Sequence, residues 1–305
     1  MLKPKILLQF ICLIVMINAQ SKGWTPELSI NINQISDLTF SNSDKVAMVV
    51  RHAIIEGEKS EYLNQIWLSN TKTNKIRQFT YNEKSSTHPR FSPDGNYLAF
   101  LSARTEKTQI WLMQVDGGEP WQFSYEKQGV GSFKWSPDGD KIAFLMTDPK
   151  SEQEEKDERE KRDVILVDQN FKYSHLYLKS FSTEKDTSKG NRITEGNFHI
   201  TDFNWNPNNK TIVFTHTIEP TINSQFVSGD ISVVNLKTKI VKEIVTWEGK
   251  DENPIFTPNG KSIVFTSDGG KIEPIGLSDT YKISSNGGKP KKLAETPNRD
   301  ARIIS

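Results

Sequence analysis

The sequence contains almost no cysteine and only one long hydrophobic run. Among its 305 residues there is one cysteine, Cys12, and it lies inside that run. A single cysteine excludes an internal disulfide and a cysteine-pair zinc site. The run covers residues 6–17 and is too short to cross a bilayer comfortably. Stability must therefore come from packing.

The N-terminal segment is typical of a secretory signal peptide. Lys3 and Lys5 precede the apolar run, and Ala19 stands at a plausible cleavage position. We predict a signal peptide over residues 1–19 and export to the periplasm or out of the cell. Cleavage would remove Cys12 and leave no membrane span. The alternative is that the segment remains as an uncleaved anchor.

The chain also has no excess charge of either sign. It contains 39 Lys+Arg and 38 Asp+Glu, a formal net charge of +1. This balance gives no reason to expect nucleic acid or an acidic membrane as a partner. Hydrophobic residues make up 35% and charged residues 25% of the chain, which fits a globular protein.

A ten-residue unit organises the rest of the chain. Residues 91–100 read Phe-Ser-Pro-Asp-Gly-Asn-Tyr-Leu-Ala-Phe. Pro93 sets the φ angle that the second position of a turn needs, and Gly95 allows a positive φ. Asp94 can accept a hydrogen bond from the backbone two residues further on. The alternating residues after the turn predict a half-buried strand.

Repetition of this unit predicts the fold. Copies occupy 135–144, 205–214 and 256–265, and a degenerate copy occupies 40–48. Each copy is followed by further short strand patterns, which is typical of a four-stranded propeller blade. We predict an all-β chain, a β-propeller of five blades plus the start of a sixth. Within a propeller domain over 20–305, the blades lie near 34–80, 85–124, 131–194, 198–245 and 251–294, and the incomplete sixth begins at 296.

One insertion interrupts the regular array. The turn prolines stand at 93, 137, 207 and 258, so the gaps are 44, 70 and 51 residues. The long gap contains the mixed-charge segment 152–163, which predicts a solvated loop or exposed helix; a partner-binding role is the alternative. In blade 1 we expect strands at 46–51 and 65–69, separated by a polar stretch.

Motifs for catalysis, metals or cofactors are scarce. The nearest match to a Gly-x-Ser-x-Gly nucleophile elbow, 276–280, fails at its last position, so Ser278 is interpreted as a loop residue. One aspartate per turn supplies too few oxygens for calcium. We assign no catalytic, cofactor-binding or metal-binding residue, and no cofactor. The histidines are expected to be hydrogen-bonded or exposed without a role in chemistry: His52, His88, His175, His199 and His216. The indoles at strand positions are expected to pack in the blade cores: Trp67, Trp111, Trp121, Trp135 and Trp205.

The repeats resemble the WD-like repeats of two propeller families. One is the N-terminal propeller of the prolyl oligopeptidase family of serine peptidases, especially acylaminoacyl-peptidase and dipeptidyl-peptidase-like members. The other is the propeller of the periplasmic Tol-system protein. The third unit favours the first family, because its turn at 135–139 is followed by a charged insert and then by strand patterns at 164–167 and 175–178. The Tol-system protein also carries an α/β domain before its propeller, whereas the first repeat here follows the signal segment almost directly.

The peptidase resemblance implies a propeller that gates peptide access to a C-terminal α/β-hydrolase domain. The family's Ser-Asp-His triad lies in that domain and not in these 305 residues, so we expect the chain to be inactive alone. The implied partner is a peptide substrate. Relatives grip the substrate amine with a glutamate pair, but Glu154 and Glu155 lack the surrounding motif and are not given that role. The alternative is a non-enzymatic Tol-like scaffold that binds a protein partner at its rim.

An open arc of blades would leave its two end faces uncovered. We expect the apolar strands 46–50 and 263–265 to be exposed there. Exposed apolar strands promote aggregation. Residues 20–305 alone are therefore expected to be poorly soluble or to associate.

Overall fold

The computed structural model describes residues 23–162, 169–272 and 277–294. The predicted signal peptide, the strand pattern at 164–167 and the start of a sixth blade lie outside these ranges. Within them, the strands form five four-stranded antiparallel sheets, each a simple meander. The sheets are blades 1 to 5 in chain order. The prediction of an all-β, partial propeller is confirmed, and the arc of blades is open.

The twenty strands within the described ranges divide evenly among the blades. Blade 1 contains β1 (Gln34–Phe40), β2 (Lys45–Glu56), β3 (Lys59–Asn70) and β4 (Ile76–Gln78). Blade 2 contains β5 (Ser86–Phe91), β6 (Tyr97–Thr105), β7 (Lys107–Gln114) and β8 (Trp121–Gln122). Blade 3 contains β9 (Ser132–Trp135), β10 (Lys141–Thr147), β11 (Ser174–Ser180) and β12 (Asn191–Arg192). Blade 4 contains β13 (His199–Trp205), β14 (Thr211–Thr217), β15 (Asp230–Asn235) and β16 (Val241–Val245). Blade 5 contains β17 (Asp251–Phe256), β18 (Ser262–Ser267), β19 (Asp279–Ser284) and β20 (Lys291–Ala294).

Three short helices lie outside the sheets in the described ranges: α1 (Pro26–Ile30), α2 (Glu152–Arg159) and α3 (Ile222–Val227). Helix α2 forms from the charged segment because Ser151 and Glu154 cap its first turn reciprocally. It has no buried residue, which confirms the expectation of an exposed helix. Helix α3, between β14 and β15, was not predicted. No helix in these ranges is long and apolar enough to cross a membrane.

The hairpin of blade 1 is longer than predicted. Strands β2 and β3 each have twelve residues and remain paired out to Glu56 and Lys59. The expectation of a polar stretch between two short strands was therefore wrong. Gly57, with φ of 60°, forms the turn between them. The outer half of the hairpin is exposed, so polar residues can continue the backbone ladder without burying their side chains.

The repeated turns have the predicted chemistry. In blade 2 the Gly95 amide donates to the Ser92 carbonyl at 2.8 Å, and φ of Gly95 is +76°. The Asp94 carboxylate accepts from the amide of Asn96 at 3.1 Å and from the Ser92 hydroxyl at 2.5 Å. In blade 4, Asn209 replaces the glycine and adopts φ of 60°, a conformation that asparagine tolerates.

Four hydrophobic clusters join the five blades. Each cluster combines one face of a blade with the opposing face of the next. We call the side of a blade that packs on the preceding blade its leading face, and the opposite side its trailing face. The second strand of blades 2 to 5 places a fully buried phenylalanine on the leading face: Phe100, Phe144, Phe214 and Phe265.

The uncovered leading face of blade 1 differs from the expectation. Val46 and Val50 are buried, and the large exposed apolar side chains of this face lie on β1, where Ile35 is 60% and Phe40 71% exposed. In blade 5, Phe265 is buried against blade 4. On this face the exposed apolar surface thus belongs to β1; Ile272, Leu277 and Leu293 are exposed in the blade 5 segment.

Gly260 is expected to be less replaceable than the matching glycine of blade 2. Gly260→Ala combines an unfavourable positive φ with overlap of its Cβ and the Asn206 amide of blade 4, whereas nothing lies near Cβ at Gly95. Gly95→Ala should cost about 1–2 kcal/mol of unfolding free energy from backbone strain, and Gly260→Ala should cost more. Urea denaturation measures both; equal losses would contradict the close approach of the two turns.

Association of the chain is expected to depend on β1. Replacing Ile35 and Phe40 together with asparagine removes apolar surface from the uncovered face without touching a blade interface. Light scattering at tens of micromolar should show association of the parent chain and less association of the variant. A compact parent monomer, or unchanged association of the variant, would refute this expectation.

Candidate functional site

The first strands of the blades carry a series of bulges that re-aim polar side chains. Register shifts interrupt the pairing of β1, β5 and β17 with their neighbours. The bulged residues Asp37, His88 and Asn253 have φ of 46°, 55° and 53°. Each stands three residues before the aromatic residue that ends its strand. Non-glycine residues with positive φ are uncommon, and bulges frequently direct side chains at functional surfaces.

Asp37 connects blades 1 and 2. Its carboxylate lies 2.7 Å from the Arg90 guanidinium and 3.6 Å from His88 Nδ1. Partial burial disfavours the charged carboxylate, but hydrogen bonds from His88 and Arg90 outweigh this and lower the pKa of Asp37. The side chains of Asp37 and Arg90 remain 30% and 31% exposed. The ion pair is thus accessible from the side of the first strands.

A second polar connection joins blades 3, 4 and 5. Lys134 Nζ lies 3.0 Å from Asp202 Oδ1 and donates to Asn204 Oδ1 at 3.0 Å. The Asn204 amide donates in turn to the Pro254 carbonyl of blade 5 at 2.9 Å. Lys134 and Asp202 are 31% and 41% exposed. These groups and the Asp37–Arg90 pair form what we call the inner-strand surface.

Indole hydrogen bonds also join neighbouring blades beside the inner-strand surface. Trp135 Nε1 donates to the Arg90 carbonyl of the preceding blade at 3.2 Å, and Trp205 Nε1 donates to the Lys134 carbonyl at 3.2 Å. Both indoles are 8% exposed. Their packing in the blade cores agrees with the structural role expected for them.

The inner-strand surface offers charges of both signs within reach of solvent. The Arg90 and Lys134 cations lie on the first strands of blades 2 and 3, and the Asp37 and Asp202 carboxylates lie on those of blades 1 and 4. Such a surface can bind the backbone and termini of an extended peptide. It carries no nucleophile–base pair, and no group of three His, Cys, Asp or Glu residues in the described ranges could hold a metal ion.

The structure buries two of the five histidines and does not gather all five at one site. His175 is fully buried in blade 3, and its Nδ1 lies 3.2 Å from Thr194 Oγ1, which also accepts from the Leu176 amide. His216 Nε2 lies 2.9 Å from Ser232 Oγ. The expected structural role therefore applies to these two residues.

His175 occupies a position that holds glutamine in blades 1 and 2. The Thr80 hydroxyl donates to Gln65 Oε1 at 2.6 Å, and the Ser124 hydroxyl donates to Gln109 Oε1 at 2.6 Å. In both blades the same hydroxyl accepts from the next amide of the third strand. We call this arrangement the third-strand clip. This arrangement was not predicted from the sequence, although the spacing of the glutamine and hydroxyl residues repeats.

The remaining candidates from the sequence are also accounted for. Glu154 accepts from Lys172 at 2.7 Å, and this bond, followed by those to Ser151, lowers its pKa to about 2. Glu155 pairs with Lys127. Both glutamates are thus paired with lysines, one before β9 and one before β11, and are not presented as a free pair. Ser278 lies outside any strand, as expected, and Gly276 of the same motif lies outside the described residues.

His175→Gln should make the chain less sensitive to acid. Burial, followed by the charge of Arg192, lowers the pKa of His175 to about 4. Because the unfolded histidine takes up its proton near pH 6.5, the neutral form stabilises the fold above that pH, and this contribution is lost as pH falls toward 4. Glutamine does not titrate, so the variant should retain up to about 3 kcal/mol more of its neutral-pH stability at pH 4.

The reciprocal variant is Gln65→His, which puts the blade 3 clip into blade 1. It should increase the loss of stability between pH 6.5 and 4. Urea denaturation at several pH values measures the unfolding free energy of both variants and of the parent chain. His216, Asp230 and Asp251 also have shifted pKa values, but they are present in all three proteins and do not affect the comparison. Parallel pH profiles for all three proteins would contradict a neutral buried His175.

Comparison with known proteins agrees with this architecture. Residues 53–172 match the family model of the TolB beta propeller domain. A 50-residue stretch is 48% identical to the uncharacterized peptidase YuxL of Bacillus subtilis (strain 168), covering 16% of this chain and 8% of that protein.

Solved structures extend the similarity over most of the chain. Acylaminoacyl peptidase from Pyrococcus horikoshii superposes with a TM-score of 0.64 and 16% identity, over 89% of this chain and 41% of the peptidase. TolB from Acinetobacter baumannii gives a TM-score of 0.52 and 17% identity, over 84% of this chain and 53% of TolB. The chain thus spans less than two thirds of each of these proteins. The resemblance inferred from the repeated turns is confirmed: the chain is a partial β-propeller, residues 53–172 match the TolB propeller model, and the fold is similar to that of acylaminoacyl peptidase propellers.

Proposed function

We propose that this chain is the peptide-gating propeller of an exported serine peptidase of the prolyl oligopeptidase family. The observation that carries the proposal is the 50-residue stretch with 48% identity to a Bacillus subtilis peptidase. The fold alone is compatible with both TolB and peptidase propellers. The higher TM-score with acylaminoacyl peptidase, 0.64 against 0.52 for TolB, gives further support.

The inner-strand surface supports a role in admitting peptides. An extended peptide exposes its backbone amides, carbonyls and terminal charges to such a surface, whereas a folded protein has most of these groups paired internally. The propeller would screen substrates by size and shield the acyl-enzyme chemistry of a hydrolase domain from water. The residues that would contact the peptide are Arg90, Lys134 and Asp202. Export is proposed from the signal-like segment 1–19.

A non-enzymatic scaffold of the Tol type is the second candidate. The family model that matches residues 53–172 is the TolB propeller, which favours this reading. A scaffold would bind its protein partner through the loops at the rim, where many connections converge.

The decisive experiment reads the genomic DNA beyond codon 305 and then tests the complete reading frame. The peptidase proposal expects a continuing frame with a Gly-x-Ser-x-Gly elbow, and labelling of that protein, but not of residues 20–305, by a serine-hydrolase probe. Lys134→Ala in the complete protein should lower turnover of long peptides relative to a dipeptide substrate, because it removes a cation that contacts the longer chain. A stop codon followed by an unrelated gene would favour the scaffold, and probe labelling of residues 20–305 alone would overturn the division of roles.

A further inference from the structure

A cleft between the outer strands of blades 1 and 2 is separate from the inner-strand surface. It has a volume of about 500 Å³ and lies between the end of β4 and the hairpin turn that follows β7. Its lining includes two arginines, two amides and an apolar floor: Arg77, Arg104, Gln78, Asn82, Phe79 and Met113. Phe79 and Met113 are buried, at 2% and 7% exposure. The cleft therefore combines positive charge with an apolar base.

Arg104 is a half-buried cation with few partners. Its guanidinium lies 5.2 Å from the Phe100 ring centroid and 5.3 Å from that of Trp111, and it donates to Ser86 Oγ at 3.3 Å. Its Nε is buried and has no hydrogen-bond partner in the described part of the chain. Burial lowers the pKa of Arg104, with the charge of Glu119 opposing this effect. A desolvated guanidinium of this kind has unused capacity to bind an anion.

Arg77 adds a second cation to the same cleft. It donates to the Val115 carbonyl at 2.8 Å, and its guanidinium lies 5.3 Å from the Phe79 ring centroid. Within the described ranges, neither Arg77 nor Arg104 forms an ion pair with a carboxylate. Elsewhere on the blades Lys45 pairs with Asp116 and Arg90 with Asp37. Two unpaired arginines beside one cleft therefore mark a place for a negative ligand.

We propose that this cleft binds a small ligand with one carboxylate and an apolar tail. Arg104 and Arg77 would hold the carboxylate, since the guanidinium fork matches its planar oxygens. The tail would cover Phe79 and Met113. Glu119 also lines the cleft, and its negative charge favours a monoanion over a phosphate dianion. The proposal does not depend on the peptidase function, because none of these residues belongs to the inner-strand surface.

Calorimetric titration of the purified chain tests the ligand chemistry. The probes are N-acetyl-leucine, N-acetyl-leucinamide, hexanoate and inorganic phosphate. Both carboxylates should bind, and the amide should bind at least about tenfold more weakly, since it removes the charge-assisted hydrogen bonds. Tighter binding of N-acetyl-leucine than of hexanoate identifies a peptide chain end as the natural ligand, and the reverse order identifies a free aliphatic acid. Tighter binding of phosphate, or binding of neither carboxylate, overturns the proposal.

Matched variants test the site. Arg104→Gln should weaken binding of the carboxylates at least about tenfold, and Glu119→Gln should strengthen it. Arg51→Gln is the control, because Arg51 also stacks on an aromatic ring, that of Tyr62 at 4.5 Å, and also has an unpartnered Nε, but lies on the blade 1 hairpin away from the cleft. If Arg104→Gln lowers the urea midpoint, Arg77→Gln and Glu119→Gln decide the outcome. Equal effects of Arg51→Gln and Arg104→Gln would show a non-specific charge effect and overturn the site.

Discussion

The packing of each leading face on the preceding blade is the interaction on which the rest of the structure depends. A four-stranded meander cannot cover both of its apolar faces, so each blade needs neighbours. Phe100, Phe144, Phe214 and Phe265 supply large side chains to these contacts, and mostly aliphatic residues oppose them from the blade before. Burial of one phenylalanine contributes on the order of 2–3 kcal/mol, so the stack of blades accounts for a large share of the stability.

Local chemistry explains why so much of this fold could be predicted. The turns at Gly95, Gly139 and Gly260 depend on residues adjacent in sequence, and an isolated segment already has the required preferences. The hairpin of blade 1 could not be bounded in the same way. Its outer half is exposed on both faces, so it lacks the alternation that indicates a strand, and pairing alone maintains it out to Glu56 and Lys59. Helix α3 also has no buried residue, so no apolar pattern in the sequence indicates it.

The candidate site could be predicted far less completely than the fold. Contacts such as Asp37 with Arg90 and Lys134 with Asp202 join residues more than fifty positions apart, and no sequence period links them. The sequence contains a weak signal for the bulges, because Asp37, His88 and Asn253 each stand three residues before the aromatic residue of the turn. For His175 a structural role was predicted, but the sequence did not indicate which one. Its equivalence to Gln65 and Gln109 explains why the blade needs a neutral side chain at this position.

The two ends of the arc are chemically unlike. On the trailing faces of blades 1 to 4 the third strand carries aliphatic pairs, such as Ile66 with Leu68, but in blade 5 the same positions hold Thr280 and the exposed Lys282. A head-to-tail contact between two copies would have to desolvate this ammonium group against the apolar end of blade 1, which is unfavourable. Contact between two identical leading faces avoids that penalty and closes at two copies. The lysine therefore disfavours contact of this face of blade 5 with a second apolar face.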